Sequence, residues 1–175
     1  MKFEYTLQEE DYLSFQLYTA QQRPRFYLRQ KNGRFFLAMI FATMGIYFGY
    51  SKEWGMVAYF SLLTIVIFLF YPRYFRWRQK MHYLRFVRQH YRSAFNAVET
   101  FERSGKTVKL SNQTGEGILP QDELESWVET GQYFYILLKS SSGLVIPKAQ
   151  VEEDAFRKEL MALNLSHTEH LNWKW

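Results

Sequence analysis

The chain of 175 residues lacks cysteine and contains only four histidines. Without cysteine it forms no disulfide bonds and offers no thiolate nucleophile or thiolate metal ligand. It also lacks the residue patterns typical of serine hydrolases, zinc proteases and nucleotide-binding glycine loops. From these absences we expect no catalytic site, no metal site and no cofactor, and we predict that the protein is not an enzyme.

The histidines are the remaining candidates for metal ligands. His167 and His170 have a spacing compatible with two ligands on one face of a helix. A pair without further histidine or cysteine nearby falls short of the usual four ligands of a structural zinc site. His82 and His90 lie in a basic stretch, where contact with solvent or lipid headgroups is expected. No functional metal site is therefore predicted.

Charge is absent from two long apolar runs, Phe35 to Tyr50 and Trp54 to Tyr71, which only residues 51–53 separate. Each run approaches the ~20 residues that a helix needs to cross ~30 Å of hydrocarbon. Only a helix satisfies the backbone polar groups of such a run in lipid. The runs predict a transmembrane hairpin over residues 35–71, and their lack of charged side chains argues against an ion or proton pathway.

Acidic residues are absent from both flanks of this hairpin. Residues 23–34 contain five basic side chains and residues 72–92 contain seven, whereas the rest of the chain is acidic despite a net charge of +5. The positive-inside bias then predicts a multi-pass membrane protein with both termini cytoplasmic and the turn outside. The residues predicted to contact lipid headgroups are Arg34, Arg73, Arg76, Trp77, Arg78, Lys80 and Arg85.

Basic residues interleaved with aromatic ones are also typical of a nucleic-acid-binding face. In this chain they lie beside the ends of the apolar runs, from which Lys and Arg side chains reach lipid headgroups. Tyr and Trp residues at the same places are typical of a membrane interface. We therefore predict anionic membrane lipids as the partner, and no nucleic acid.

Small residues recur along one face of each predicted membrane helix, a pattern that allows close helix packing. The face could pack within the hairpin, in a homo-oligomer or against a partner's membrane helix, and the first of these is favoured. The residues predicted to take part in this packing are Ala38, Ala42, Gly45, Gly49, Gly55, Ala58 and Ser61.

Residues 1–22 read as a strand followed by a helix that join the soluble part of the protein, without the pattern of a cleavable signal sequence. Lys2 to Thr6 alternates between apolar and polar side chains. Thr6 and Glu9 have the spacing of a capping box, which predicts a helix from Leu7 to Gln22 that Pro24 terminates. Residues 23–34 form a basic juxtamembrane segment, and Asn32-Gly33 predicts a bend there.

Residues 72–96 predict a basic amphipathic helix that continues the second membrane helix. Its role is either that of a structural connector, which is favoured, or that of a lipid sensor. The apolar stripe is expected to pack on the soluble domain or on the Leu7 to Gln22 helix. The stripe consists of Tyr74, Trp77, Met81, Leu84, Tyr91 and Phe95.

Residues 97–165 have the period of strands separated by turn signals, followed by a last helix. With the N-terminal strand they predict an antiparallel sheet of about six or seven strands, and residues 166–175 are a tail. The fold class is thus α+β. The predicted elements are Ala97 to Arg103, Thr107 to Ser111, Gly115 to Leu119, Glu123 to Glu129, Gln132 to Lys139, Gly143 to Pro147 and the helix Gln150 to Leu163.

This order of elements resembles the YcxB-like family of bacterial membrane proteins. The strongest local match runs from Ile118 to Lys148 and includes Trp127-Val128-Glu129-Thr130, the aromatic strand from Tyr133 to Leu138, and Val145-Ile146-Pro147-Lys148. The resemblance implies a pleckstrin-homology-like soluble domain of seven strands and a C-terminal helix, into which the hairpin is inserted. It brings no catalytic residues.

Together these features predict a non-enzymatic binding or regulatory module that is anchored in the inner membrane and presents a cytoplasmic domain at the inner leaflet. Its protein partner is not specified by the sequence, and a homo-oligomer is one alternative. A second functional hypothesis is an immunity protein, whose hairpin protects the cell against a membrane-active toxin or bacteriocin.

Overall fold

The computed structural model describes residues 2–105, 107–112, 115–140 and 142–175. They form two compact units, one made of residues 16–83 and the other of the described residues up to Phe15 and from Leu84 onward. Within the described residues there are four α-helices: α1 Glu9–Gln22, α2 Pro24–Tyr50, α3 Trp54–His90 and α4 Glu153–Met161. The strands are β1 Lys2–Thr6, β2 Val98–Ser104, β3 Thr107–Asn112, β4 Gly115–Pro120, β5 Leu124–Thr130, β6 Tyr133–Leu138, β7 Gly143–Pro147 and β8 Ser166–His170. The α+β class is confirmed.

The strands form two four-stranded sheets. The first has the order β1-β2-β3-β4 and is antiparallel throughout. The second has the order β7-β6-β5-β8, and β8 runs parallel to β5. Strand β1 precedes the two long helices in sequence and pairs with β2, which follows them, so that Tyr5 lies opposite Glu99.

Helix α4 closes the core through Phe156, which is fully buried. Its ring centroid lies 5.0 Å from that of Phe3, 5.1 Å from Phe101 and 5.3 Å from Phe134. These contacts join α4 to both sheets, because Phe3 and Phe101 belong to the first sheet and Phe134 to the second. A buried phenylalanine of this kind stabilises the fold by about 3–5 kcal/mol relative to alanine.

The prediction of one antiparallel sheet of about six or seven strands was wrong, because the described residues form eight strands in two sheets and the parallel pairing of β8 makes the second sheet mixed. Residues 166–175 were predicted to be a tail, but Ser166–His170 forms β8. This strand has no apolar alternation and is mostly exposed, so no sequence pattern marks it. Its backbone pairs with β5, where Trp127 lies opposite His167.

The helices of this unit begin and end at other residues than predicted. The Thr6 hydroxyl donates to Gln150 Oε1, so it does not cap α1. Instead the Gln8 N–H donates to the Asp11 carboxylate, and the Asp11 N–H donates to the Gln8 carbonyl. Helix α1 therefore begins at Glu9 rather than Leu7. The predicted last helix is shorter at both ends, because Lys148–Gln150 forms a 3₁₀ turn.

The other unit contains α2 and the greater part of α3, joined by the turn at residues 51–53. The two helices run antiparallel, with Phe26 against Phe75, Phe35 against Phe68 and Phe41 against Phe60. Lys52, in the turn, has a φ of 59°. The predicted ends of the apolar runs at the turn, Tyr50 and Trp54, coincide with the ends of the helices.

The predicted bend at Asn32-Gly33 was wrong, because α2 runs through it from Pro24 to Tyr50. Gly33 has a packing role instead. A Cβ atom at this position would overlap the Tyr71 hydroxyl oxygen on α3. Glycine is thus what allows the tyrosine to approach the α2 backbone. The segment 23–34 is the first part of the same helix as residues 35–50.

Helix α3 continues without a break through Pro72 as far as His90. The continuation of the second apolar run into the basic stretch is thus observed, although the helix ends before Phe95. The predicted apolar stripe was wrong in part, because Tyr74 and Trp77 are mostly exposed whereas Val87, outside the stripe, is fully buried.

Helices α2 and α3 are long and apolar enough to cross a membrane. Their most apolar 18-residue windows have mean hydropathies of 1.2 and 2.0. Only 6% of the first window and 0% of the second are buried inside the structure. The core helix of a soluble protein buries its apolar face, so these helices differ from that pattern.

Candidate membrane-contacting surface

The side chains along the apolar parts of α2 and α3 point outward. An exposed apolar surface of this extent is rare in a soluble monomer and is typical of contact with a membrane or another protein. In water, each Å² of it would cost about 25 cal/mol relative to burial. The large apolar residues that are more than half exposed include Phe36, Met39, Ile46, Leu62, Ile65, Leu69 and Phe70.

The helix pairing brings the two basic flanks to one end of the hairpin. Phe26 lies against Phe75, and Phe35 against Phe68. The basic residues around these positions therefore lie at the end opposite to the turn at residues 51–53. They are Arg25, Arg29, Lys31 and Arg34 on α2, and Arg73, Arg76, Arg78 and Lys80 on α3.

The charge-free part of the hairpin has nearly the thickness of a bilayer's hydrocarbon layer. At a rise of about 1.5 Å per residue, Arg34 lies about 24 Å from Tyr50 along α2. On α3, Arg73 lies about 28 Å from Trp54. Hydrocarbon layers are ~27–33 Å thick, and long basic side chains accommodate a small mismatch by reaching outward.

Aromatic side chains mark both ends of this charge-free part. All are more than half exposed, as expected for residues at the level of lipid headgroups. Those at the basic end are Tyr27, Tyr74 and Trp77, and those near the turn are Tyr47, Tyr50, Trp54 and Tyr59.

The two threonine hydroxyl groups within the apolar runs donate to the backbone of their own helix. Thr43 Oγ1 donates to the Met39 and Ile40 carbonyl oxygens at 2.9 and 2.8 Å. Thr64 Oγ1 donates to the Phe60 carbonyl oxygen at 2.8 Å. Such bonds avoid an unpaired donor in hydrocarbon.

The residues predicted to contact headgroups fall into two groups. Arg73, Arg76, Trp77, Arg78, Lys80 and Arg85 are exposed. Arg34 is half-buried, and its guanidinium carbon lies 4.0 Å from the centroid of the Phe68 ring. Farther along α3, Arg88 donates to both Glu9 carboxylate oxygens at 2.9 Å, so its charge is already paired within the protein.

The small residues of the two long apolar helices differ in their surroundings. A Cβ at Gly45 would lie 3.6 Å from Phe60 Cβ, and one at Gly49 would lie 3.9 Å from Val57 Cγ2. Ala38 is buried and Ala42 is exposed. On α3, a Cβ at Gly55 would meet no atom of the described residues within 4 Å. Ala58 and Ser61 are exposed too. On α2, Ala38, Gly45 and Gly49 therefore pack within the hairpin, whereas Ala42 points outward, as do the small residues of α3.

A buried charge cluster lies in the other unit, centred on Glu129 of β5. Lys148 Nζ donates to Glu129 Oε1 at 2.7 Å, and Arg157 donates to both carboxylate oxygens at 2.6 and 3.1 Å. The Arg157 hydrogen bonds, with the help of Lys148, lower the pKa of Glu129 to about 2. Sequence analysis missed this cluster because its members lie 19 and 28 residues apart along the chain.

A metal site is not favoured beside this cluster, although Glu129, His167 and Glu169 offer ligand atoms within 4.8 Å of one another. Both Glu129 oxygens already accept hydrogen bonds from cations, which would repel a metal ion. The His167 ring stacks on Trp127 with centroids 3.7 Å apart. The prediction that His167 and His170 lie on one face of a helix was wrong. Both lie on strand β8, where an odd spacing puts them on opposite faces.

A cleft of about 500 Å³ opens between the start of α1, the β5–β6 turn and the 3₁₀ turn at Lys148–Gln150. Its lining includes Asp11, Tyr133 and Lys148. Burial and the neighbouring Asp11 raise the pKa of Tyr133. The Asp11 carboxylate accepts the Gln8 N–H, and Lys148 pairs with Glu129. These charged groups are therefore engaged in holding the fold.

Residues 105–160 match the family model described as YcxB-like protein. This stretch is similar to YcxB-like proteins. The resemblance inferred from the sequence is thereby confirmed for that part of the chain. The matched stretch contains the whole of the Glu129–Lys148–Arg157 cluster and Trp127, and it leaves α2 and α3 outside. The chain matches no curated protein, and it matches no solved structure.

Proposed function

We propose that the protein is a non-enzymatic binding or regulatory module anchored in a bacterial cytoplasmic membrane. In this proposal α2 and the apolar part of α3 cross the bilayer as a hairpin. The turn at residues 51–53 lies outside, and the soluble unit lies in the cytoplasm. The observation that carries the proposal is the exposed apolar surface of the hairpin, which ends in basic clusters on one side only.

The sheet topology supports two crossings. Strand β1 precedes the hairpin and β2 follows it, and β1 pairs with β2 along the whole length of β1. The chain must therefore be on the same side of the membrane before and after the hairpin, which requires an even number of crossings. The twelve basic residues of the flanks favour the cytoplasm as that side.

The strand order supports a pleckstrin-homology-like fold for the soluble unit. A four-stranded antiparallel meander, β1 to β4, is followed by a three-stranded one, β5 to β7, and then by helix α4. This is the seven-strand and C-terminal-helix plan that the family resemblance implies. In the proposal, the hairpin interrupts this domain between its first and second strands, and β8 is an addition to the plan.

Membrane integration is tested by alkaline carbonate extraction of membranes from cells that express the full chain. We expect the protein to stay in the membrane pellet, as a hairpin with ~20 residues per crossing does. Release into the supernatant together with peripheral proteins would contradict the proposal.

The role of anionic lipid is tested with the full chain in nanodiscs of phosphatidylcholine or phosphatidylglycerol. We expect the anionic lipid to raise the melting temperature, and added salt to reduce the difference, because salt screens charges at a wet surface over ~10 Å at 0.1 M. Changing Arg76, Arg78, Lys80 and Arg85 together to Gln should remove most of this difference.

A matched control carries the same loss of four charges on exposed residues away from the hairpin, Lys109, Lys139, Lys158 and Lys174. This variant should keep the lipid dependence. Equal loss in both variants would show that net charge, and not the basic end of the hairpin, determines the response.

The protein partner is sought by purifying the chain from native membranes together with the proteins that bind it.

A further inference from the structure

Arg34 differs from the other basic residues at this end of the hairpin. Its guanidinium carbon lies 4.0 Å from the centroid of the Phe68 ring and 5.4 Å from that of Phe35. Its Nε atom is buried and has no hydrogen-bond acceptor among the described residues. The neighbouring Arg29, by contrast, is exposed.

A guanidinium in this position needs an acceptor. A guanidinium has five N–H donors, and leaving the buried Nε–H unpaired beside an apolar surface is unfavourable. The aromatic ring contacts the face of the guanidinium, whereas hydrogen bonds form at its edge. The pairing with Phe68 therefore still leaves the donors in need of a partner.

The hairpin unit itself has no carboxylate that could serve. Between residues 16 and 83 the only acidic residue is Glu53, which lies in the turn, about 28 Å along the helix from Arg34. The Tyr71 hydroxyl lies against the backbone of Gly33 and adds a second polar group at the level of Arg34. Arg73, two residues farther along α3, adds positive charge. This combination is suited to an anion with several acceptor oxygens.

We propose that Arg34, seated on the Phe68 ring, binds the phosphodiester of a phospholipid in the leaflet at the basic end of the hairpin, with Tyr71 as a second donor. The inference rests on the proposed function, because it needs the hairpin in a bilayer. Arginine binds phosphate through two parallel hydrogen bonds. A lipid, rather than free phosphate, is the source because Arg34 adjoins the apolar run, where the exposed Phe36, Leu69 and Phe70 offer contacts for acyl chains.

The test uses the full chain purified in dodecyl maltoside, a detergent without phosphate. Its melting temperature is measured with short-chain phosphatidylcholine, phosphatidylglycerol, diacylglycerol of the same chain length, or inorganic phosphate. We expect both phospholipids to raise the melting temperature by about 2–4 °C or more. Diacylglycerol and inorganic phosphate should raise it far less, because each lacks one half of the recognised group.

Variants assign the response to Arg34. Arg34→Gln should abolish the increase given by phosphatidylcholine, and Arg34→Lys should lose most of it, because a lysine lacks the planar pair of donors. The matched control Arg29→Gln should keep the full increase. If Arg34→Gln fails to fold, the increase given by phosphatidylcholine is measured in Arg34→Lys and in Phe68→Leu instead. Phe68→Leu removes the ring beneath the guanidinium.

Several results would overturn the phosphodiester site. They are an unchanged phosphatidylcholine response in the Arg34 variants, an equal loss in Arg29→Gln, or equal stabilisation by diacylglycerol. Stabilisation by inorganic phosphate equal to that by phospholipid would overturn the assignment to lipid. Carbonate extraction keeps the two proposals apart, because failure of the phosphodiester site leaves the wild-type chain in the membrane pellet, whereas failure of the proposed function releases it.

Discussion

At the scale of single residues, Glu129 links three parts of the soluble unit. It lies on β5 and accepts hydrogen bonds from Lys148, which follows β7, and from Arg157 on α4. Its pKa of about 2 in the folded protein lies below the ordinary value of 4.5. The cluster therefore stabilises the fold at pH values above 4.5, and this contribution is lost as the pH falls towards 2.

We predict that Glu129→Gln lowers the free energy of unfolding by about 3–5 kcal/mol near neutral pH, because the buried Lys148 then has the more exposed Glu153 carboxylate, 3.4 Å away, as its counter-charge in place of Glu129. The deficit should shrink as the pH falls towards 2, where the wild-type carboxylate is protonated too. Urea denaturation at several pH values measures it. The control Glu125→Gln changes an exposed residue of the same strand, and an equal effect in both variants would contradict the role of the cluster.

Glu99, on β2, has the opposite character. It is half-buried, it accepts a hydrogen bond from the Tyr12 hydroxyl at 3.2 Å, and burial raises its pKa. A raised pKa means that the folded state binds the proton more tightly than the unfolded state does. The stability that comes from this protonation is present below pH 4.5 and is lost as the pH rises through the folded pKa.

We therefore predict that Glu99→Gln stabilises the soluble unit at neutral pH and has little effect at pH 4. The uncharged amide keeps an acceptor for Tyr12 without the cost of burying a charge. The same denaturation series measures this effect. A destabilised Glu99→Gln variant at neutral pH would show that the carboxylate has a favourable partner.

At the scale of secondary-structure elements, helix α2 packs on α3 through small residues. Gly45 is buried against Phe60, whereas Gly55 on α3 has no neighbouring atom within 4 Å of a Cβ position. The two glycines thus provide a matched pair within one hairpin. In hydrocarbon there is no hydrophobic driving force for helix association, so helices there depend on close packing of this kind.

We predict that Gly45→Ile separates the helices and costs about 1–3 kcal/mol of hairpin stability, as overpacking of a close contact does. Gly55→Ile should leave the thermal stability of the monomer unchanged. Both are measured by thermal unfolding in detergent, with oligomer size measured alongside. A change of oligomer size in Gly55→Ile alone would instead assign the outward small face of α3 to a contact between copies.

The elements differ in how far the sequence predicts them, for physical reasons. The ends of α2 and α3 at the turn can be predicted from composition. One apolar run stops at Tyr50, the next begins at Trp54, and charged residues lie between them. Strands β1 and β7 follow from local alternation and turn residues, and their observed bounds match the predicted ones. Strand β8 has no such pattern, because its pairing with β5 is made by the backbone.

The sequence predicts some features of the candidate site and not others, for the same reasons. The basic end of the hairpin is visible in the sequence, because its charges cluster along the chain. The burial of Arg34 over Phe68 and the Glu129 cluster depend on contacts between residues that are distant in sequence. Gly33, too, is predicted from the sequence to lie in a bend, and only its contact with Tyr71 shows its packing role. A pattern within one sequence does not show which distant residue each of these residues will contact.

At the scale of the whole molecule, the hairpin is an insertion between two neighbouring strands of one sheet. The pairing of β1 with β2 means that the soluble unit is completed only after the hairpin has been made. In the proposed topology, the two crossings return the chain to the side from which it started, so β1 and β2 meet there. Failure of one crossing would leave them on opposite sides and prevent the first sheet from forming.

Cysteine labelling tests the proposed topology, because the natural chain has no cysteine. Ser51→Cys, in the turn, and Ser142→Cys, in the soluble unit, are expressed separately and exposed to a membrane-impermeant maleimide in intact cells. We predict labelling of Ser51→Cys alone, and labelling of both variants after the cells are opened. Labelling of Ser142→Cys but not of Ser51→Cys in intact cells would contradict the account, as would labelling of neither before lysis.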